Sequence, residues 1–507
     1  MSGATENKNL RYVIIGAGMS GMLAAIKLLQ EGKRNFTIYE KADRIGGTWR
    51  ENTYPGLTCD VPSHSYTYSF EPNPDWSELM PSGAEIQAYF EKVEQKYELT
   101  PWIQFNKEIG RCEFDDGRWQ LTTKCGQKDE ADFVIAASGV LHHPKMPNIK
   151  GMETFEGAIF HTARWDHSVP LDNQRIAIVG TGSTGVQVVS ALSTRAKQLT
   201  HFQRTPQWIR PVQNRAYTEE EKQAFRDDPA LLKQVQNDPE LEMNIEMFSA
   251  AITDPESDAM QQIDKEVLDN LEQSVKDPVL KEKLRPDYRA ACKRLIYSPD
   301  FYEAVQRDNV EVIVEGVDAI EPTGIRTGDG QLHEFDVIVL ATGFQTDRFM
   351  RPMNVIGRNG VSLNDRWKDG PSAYMAVSVP DLPNFFMLNG PNGPVGNFSL
   401  IEIAEHQWHY IEQLMKLVEQ GECREISASY EGHKKFEAER AAAAKEAAMD
   451  RSLKKLQFQL HQARADAAQQ LATSSRRITE LQDRIAVAAQ VHDEETNAAV
   501  AEATATA

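Results

Sequence analysis

Two glycine-rich turns carry the residues best placed to do chemistry. The first, Gly16-Ala17-Gly18-Met19-Ser20-Gly21, is followed 24 residues after its first glycine by Glu40; the second, Gly180-Thr181-Gly182-Ser183-Thr184-Gly185, is followed at the same offset by Arg204. Glycines at this spacing let the backbone and a helix N-terminus approach a pyrophosphate. An acid at the end of the next strand accepts hydrogen bonds from a free ribose diol, whereas a guanidinium suits a ribose 2′-phosphate. Equal spacing with opposite charge therefore reads as one FAD site and one NADPH site. Arg204 also has a plainer reading, a surface arginine after a strand, but the Thr205-Pro206 turn beside it suits an adenosine site.

Three further groups stand near these turns. Gly46-Gly47-Thr48-Trp49 offers backbone amides to more of the first cofactor, and the chain then runs through Tyr54-Pro55-Gly56 to Asp60, which alone reads as a loop acid or a cap. The adjacent Lys293-Arg294 reads alone as the solvated face of a helix. Between the two turns lies Phe155 to Asp166, by itself an ordinary loop. Its position is the informative part, because a joint between two dinucleotide sites must align one cofactor against the other.

The elements that position these residues follow from short β-branched runs and helical periodicity. Arg11 to Ile15 and Thr37 to Glu40 are strands around a helix reaching Leu29; Ala131 to Gly139 is a buried strand closing the first nucleotide-binding half. Residues 84 to 96 form an amphipathic helix, and Cys112 to Thr122 alternates as a hairpin does. Arg175 to Val179 leads into the second turn and another helix. Residues 212 to 285 are charge-rich and glycine-free, with Asp-Pro steps at 228, 238, 254 and 277, and read as a helical insertion, either a cap over a substrate or an ornament. Strands resume from Val310, and Phe335 to Leu340 ends in Ala341-Thr342-Gly343, after which the chain crosses back to the first domain. A helix from about Leu400 to Glu419 presents an N-terminus that could stabilise negative charge on a flavin ring.

The expected fold is therefore α/β, with two Rossmann-like dinucleotide-binding domains. The first part of an FAD-binding domain spans 1–150, an NADPH-binding domain 151–344, the second part of the FAD-binding domain 345–445, and a helical or coiled-coil-like tail 446–507. In that tail Leu453, Leu456, Leu460, Ala463, Ala467, Leu471, Ser474, Ile478, Leu481, Ile485 and Ala488 follow a heptad spacing with one stutter. Self-association through 450–490 and a mostly solvated helix are both open, and 492–507 have a disordered composition.

A chain of 507 residues exceeds one comfortable core. The net charge of −20 excludes a nucleic-acid binder, whose ligand would be repelled. Five scattered cysteines read as reduced thiols in a cytoplasmic protein, and the apolar stretch from Val13 to Leu29, interrupted by glycines and lacking a basic leader, is no membrane span or signal.

The order of these pieces resembles the class B flavoprotein monooxygenases, in particular the Baeyer-Villiger type. That family's F-x-G-x-x-x-H-x-x-x-W pattern, followed by Pro or Asp, is met by Phe155, Gly157, His161, Trp165 and Asp166. Its Gly-Gly-x-Trp to aromatic-Pro-Gly to Asp pattern is met by Gly46, Gly47, Trp49, Tyr54, Pro55, Gly56 and Asp60. The resemblance covers roughly residues 10 to 445. It implies that Arg294 is the catalytic arginine, that Asp60 pairs with it, that Lys293 joins Arg204 and Thr205 at the 2′-phosphate, and that Tyr66 contacts FAD. It implies a coupling role for His161 and Trp165, and a flavin peroxide that inserts one oxygen atom from O2 beside a ketone carbonyl. Sulfur or nitrogen oxidation by the same intermediate, or an inactive assembly subunit, are the alternatives. The family's later Trp-containing pocket segment has no counterpart, since no Trp follows Trp408.

Overall fold

Runs such as Tyr-Val-Ile-Ile at 12–15 and Val-Ile-Val-Leu at 337–340 are apolar on both faces, so they belong in parallel strands covered on both sides. The computed structural model describes residues 9–237, 239–254, 256–393 and 399–443, and there these runs form two five-stranded sheets. The first runs Phe385–Met387, Phe133–Ala136, Tyr12–Ile15, Phe36–Tyr39, Ile103–Gln104; the second runs Ala158–His161, Val337–Leu340, Arg175–Val179, Gln198–Phe202, Val310–Ile313. Every neighbouring pair is parallel. Read this way the two sheets correspond strand for strand, with the strand that enters each glycine turn at the centre.

Helices Met19–Gln30 and Ser183–Leu192 leave those turns and bury apolar faces on their sheets. Met22, Leu23 and Ile26 are fully buried, each contributing about 1.5–3 kcal/mol relative to exposure. The chain returns to the first sheet as expected. At the crossing Lys145 N donates to Gly343 O at 2.8 Å, and Phe385–Met387 then takes the sheet's edge. Helix Leu400–Glu419 starts at Ser399, whose side chain accepts from Glu402 N, and packs on the Met19–Gln30 helix.

The insertion is helical, and its Asp-Pro steps start helices more than they break them. Asp228 accepts from Ala230 N and Leu231 N, and Asp277 from Val279 N, each with proline at the first helical position, where its missing N–H is no loss. Phe225 and Leu232 join the core of the first sheet and Leu271 that of the second, so the insertion leans on both.

Two local readings are corrected. Phe155 to Asp166 is not all loop: Ala158–His161 is an edge strand paired with Val337–Leu340. The neighbouring strand's free edge supplies the pairing that a segment with one β-branched residue does not announce. Lys293-Arg294 lies on no helix but in an irregular segment before Ile296–Tyr297, where Ala291 has a φ of 58° that an α-helix does not admit.

Residues up to Glu439 cluster as one compact unit and the remainder as a second, of which only 440–443, helical, are described. The heptad run lies outside the described residues. No described helix is long and apolar enough to cross a membrane, and all five cysteines are free.

Candidate active site at the two glycine turns

The glycine turns are built alike. Gly16 and Gly180 have φ of +103° and +121°, and a Cβ on them would lie 2.6 Å from Ala137 O and 2.3 Å from Ala341 O. A Cβ on Gly21 or Gly185 would strike Gly16 O or Gly180 O at 1.8 and 2.2 Å, which is why each helix can sit so close to its strand. The middle glycines, Gly18 and Gly182, are the helix N-caps. Neither helix has a side-chain cap or an acid in its first turn. First-turn N–H groups are therefore left to a ligand, beside a positive dipole end. Both cradles fit a pyrophosphate.

Behind the first turn, Glu40 is 4% exposed. Its carboxylate accepts from Ala17 N at 2.8 Å, Ala42 N at 2.9 Å and Arg50 Nη1 at 3.1 Å. A carboxylate offers about four acceptor positions, so one remains for a ribose hydroxyl. Behind the second turn, Arg204 is exposed and Thr205 half-buried; Thr205 O accepts from Thr181 Oγ1 at 2.9 Å. Lys293 is exposed and rests over the Tyr288 ring at 4.3 Å, while the Tyr288 hydroxyl donates to Pro206 O and Gln207 Oε1. Tyr288 thus connects the Lys293 segment with the 205–207 turn.

The segment from Gly46 to Asp60 is the strap between the turns. Gly46 N donates to Ala17 O, Gly47 caps helix Thr48–Glu51, and a Cβ on Gly47 would lie 3.2 Å from Gly18 Cα. Trp49 Nε1 donates to the Tyr66 hydroxyl at 3.1 Å, and that hydroxyl faces Met19 Sδ at 3.7 Å; Tyr66 is buried. Farther on, the Tyr54 hydroxyl donates to Gln187 Oε1 at 2.9 Å and accepts from Thr184 Oγ1 at 3.3 Å, while Gln187 Nε2 donates to Thr58 O. Burial pushes the Tyr54 phenol up to about 12, so it stays protonated as a donor. Gly56, at φ +80°, abuts Gln187 O so closely that a Cβ would reach 2.6 Å.

At the end of the strap Arg294 Nη2 donates to both oxygens of Asp60 at 2.6 Å. The arginine side chain is 43% exposed and the aspartate 19%. One nitrogen does all the pairing, so Nε and Nη1 remain as donors while the carboxylate fixes the group. Cys59 is buried next to this pair, its thiol held well above the ordinary range by burial and the Asp60 charge.

One cavity of about 510 Å³ reaches Gly16, Gly18, Ser20, Glu40, Gly47, Thr48, Trp49, Asp60, Tyr66, Gly182, Ser183, Thr184 and Arg294. Gly21, Gly180 and Gly185 stand behind its wall as packing glycines, and Arg204, Thr205 and Lys293 lie outside it. Leu400, the first residue of its helix, also lines it. A more open cavity of about 890 Å³, lined by Pro211, Asn270 and Tyr302 among others, touches neither turn and so is not the reacting centre.

The joint residues do not line the cavity either. Phe155 is buried in the core beside the second sheet, Gly157 has room for no Cβ against Asp336 O at 2.4 Å, and Trp165 packs edge-on to Phe160. His161 is buried, its Nδ1 accepting from Ala163 N at 3.0 Å, and burial holds it below its ordinary pKa and so neutral. Exposed Asp166 accepts from Ser168 N and Oγ. The segment is nevertheless tied to the strap: Arg164 Nη1 donates to Glu51 Oε2, and Thr53 Oγ1 meets His167 Nε2, each at 2.8 Å. Glu51, Arg164, Thr53 and Gln187 were absent from the sequence expectations. Gln187, one helical turn past Ser183, was open to inference from its i,i+4 place; a pair 113 residues apart was not.

A family model described as flavin-binding monooxygenase-like matches residues 9–227. An uncharacterized monooxygenase of Mycobacterium tuberculosis is 47% identical over 81% of this chain and 82% of its own length. A Baeyer-Villiger monooxygenase of Streptomyces coelicolor is 36% identical over 81% and 79%. Cyclohexanone monooxygenase from Rhodococcus, solved with NADP+, superposes with a TM-score of 0.76 at 31% identity, over 86% of this chain and 90% of that one. With two uncapped glycine turns, an acid behind one and an arginine behind the other, this chain belongs to the class B flavoprotein monooxygenases of the Baeyer-Villiger type, FAD- and NADPH-dependent enzymes.

Proposed function

We propose that the chain inserts one oxygen atom beside a ketone carbonyl: ketone, O2, NADPH and a proton become ester or lactone, water and NADP+. The observation that carries this is Arg294, anchored through one nitrogen by Asp60, its other donors without a partner among the described residues, at a cavity reaching both turns. When bound, FAD takes two electrons from NADPH and activates oxygen. Glu40 holds the ribose of FAD, the Gly16–Gly21 turn its pyrophosphate, and Thr48, Trp49 and Tyr66 the part nearer the ring. Arg204, Thr205 and Lys293 take the 2′-phosphate of NADPH, and the Gly180–Gly185 turn its pyrophosphate. Arg294 is the catalytic residue, stabilising negative charge on the reacting oxygen and on the adduct at the carbonyl carbon; Asp60 keeps the guanidinium in place. Phe155, Gly157, His161, Trp165 and Asp166 form the joint that couples the two sites.

Residues 1–150 and 345–445 accordingly form the FAD-binding domain and 151–344 the NADPH-binding domain. The free cysteines support a cytoplasmic enzyme. Heptad spacing supports self-association through 450–490, and native mass with and without residues 446–507 decides it.

The test is product analysis with NADPH and 18O2 across cyclic and linear ketones, beside thioethers and amines. An ester carrying one labelled oxygen is expected. Sulfoxide or N-oxide without ester would select heteroatom oxidation, and hydrogen peroxide alone would remove the oxygenase reading for these substrates.

A further inference from the structure

Among the polar contacts that join the two halves, one continues into a chain of alternating charge. Arg164 follows the edge strand Ala158–His161 of the second sheet, and its Nη1 donates to Glu51 Oε2 at 2.8 Å. Glu51 Oε1 accepts from Arg50 Nη2 at 2.7 Å. Arg50 Nη1 reaches Glu40 Oε1 at 3.1 Å, and Glu40 Oε2 takes Ala17 N in the first glycine turn at 2.8 Å. Four side chains thus connect the joint with the turn that holds a pyrophosphate. The inner pair is dry, Arg50 and Glu40 having side chains 6% and 5% exposed, while Glu51 is 19% and Arg164 51% exposed. The inner links are therefore rigid and the outer link, Glu51 to Arg164, is the one that water and motion can open.

From this we infer that Arg164 is a positioning residue, whose ion pair with Glu51 sets the register of the nicotinamide half against the flavin half. Arg164 touches neither cofactor site; it acts through Glu51, and the neighbouring Thr53–His167 contact holds the same two segments. The inference rests on the FAD and NADPH assignment but not on the substrate. Its measurable step is hydride transfer, in which NADPH would become NADP+ and FAD would take up the hydride together with a proton. A misplaced donor slows that step without weakening either cofactor's own binding contacts.

The test is anaerobic stopped-flow reduction of the FAD-loaded full chain by NADPH, for wild type, R164A, R164K, E51A and the R164A/E51A double variant. FAD affinity and the rise in melting temperature given by NADP+ are measured on the same samples. R164A and E51A should each slow reduction about tenfold, and the double variant should be no slower than the worse single one, because both remove one link. R164K should recover most of the rate, since the contact uses a single nitrogen. FAD affinity and the NADP+ shift should stay at wild-type values in R164A. Unchanged reduction in R164A, additive losses in the double variant, or slowing that tracks loss of FAD would overturn the inference. Failure of the ketone reading would show instead as missing ester from wild type, with the reduction rates still deciding this pair.

Discussion

Glu40 and Arg204 follow matched strands of the two sheets, Arg204 one residue farther past its strand than Glu40, and are treated in opposite ways. Glu40 is buried and bonded to two backbone amides and a buried arginine. Arg204 is exposed and makes no hydrogen bond or ion pair among the described residues. A group already held in place loses little freedom when its ligand arrives, which suits a ligand that stays. A solvated side chain that closes on a phosphate and releases it suits a ligand that is exchanged each turnover. On the proposed assignment, the difference between the units is one of duty, a resident FAD and a visiting NADPH, on one shared backbone plan.

That comparison can be broken in several places. The largest effect should come from Glu40→Ala, which takes from buried Arg50 one of its two carboxylate partners, Glu51 remaining, and leaves Ala17 N without its acceptor; a loss of about 1–3 kcal/mol in stability is expected, with protein purified free of flavin. Retained FAD at normal stoichiometry would show that the acid is dispensable. Next, on the proposed role of Arg294 in the oxygen step, Arg294→Ala should lower oxygenated product about 10²–10³-fold while NADPH still reduces the flavin. Equal loss in both half-reactions would move Arg294 out of that role.

Acid should separate the first unit from the insertion. His64 is buried edge-on to Tyr217 and Phe225 at 5.1 Å each, and burial, with Arg215 nearby, pushes it down to about 4 from an ordinary 6.5. A histidine kept neutral in the fold contributes stability fully present above pH 6.5, lost as pH falls toward 4 where only the unfolded chain takes the proton; the loss is about 3 kcal/mol. Urea unfolding from pH 7 to 4.5 should show this slope together with those of His142 and His201, which burial also pushes down to about 4, and His64→Gln should remove its share. The smallest effect is Arg204→Ala, which should cut the preference for NADPH over NADH about tenfold by removing one phosphate partner while Lys293 remains. An unchanged preference would return Arg204 to the surface.

Much of this was legible before the fold was known, because glycine turns impose local rules. Gly16, Gly18 and Gly21, and their counterparts at 180, 182 and 185, announce themselves by spacing, and helix Leu400–Glu419 by its apolar periodicity. The edge strand at 158–161 was hidden because its partner, Val337–Leu340, lies far along the chain and supplies the missing propensity. The strap was half visible: Tyr54-Pro55-Gly56 could be noticed, but that Gly56 abuts Gln187 O depends on a tertiary approach. Arg164, a position the family pattern leaves undefined, gave no signal until Glu51 was found opposite it.

The contrast between a resident and a visiting cofactor is tested most directly on one dialysed sample of the purified chain. Bound FAD and bound NADP(H) are quantified, and anaerobic flavin reduction is then followed with NADPH and with NADH. One FAD per chain, no retained nicotinamide nucleotide and clearly faster reduction by NADPH are predicted. Loss of FAD on dialysis alongside the nicotinamide, or equal reduction by both nucleotides, would contradict the account.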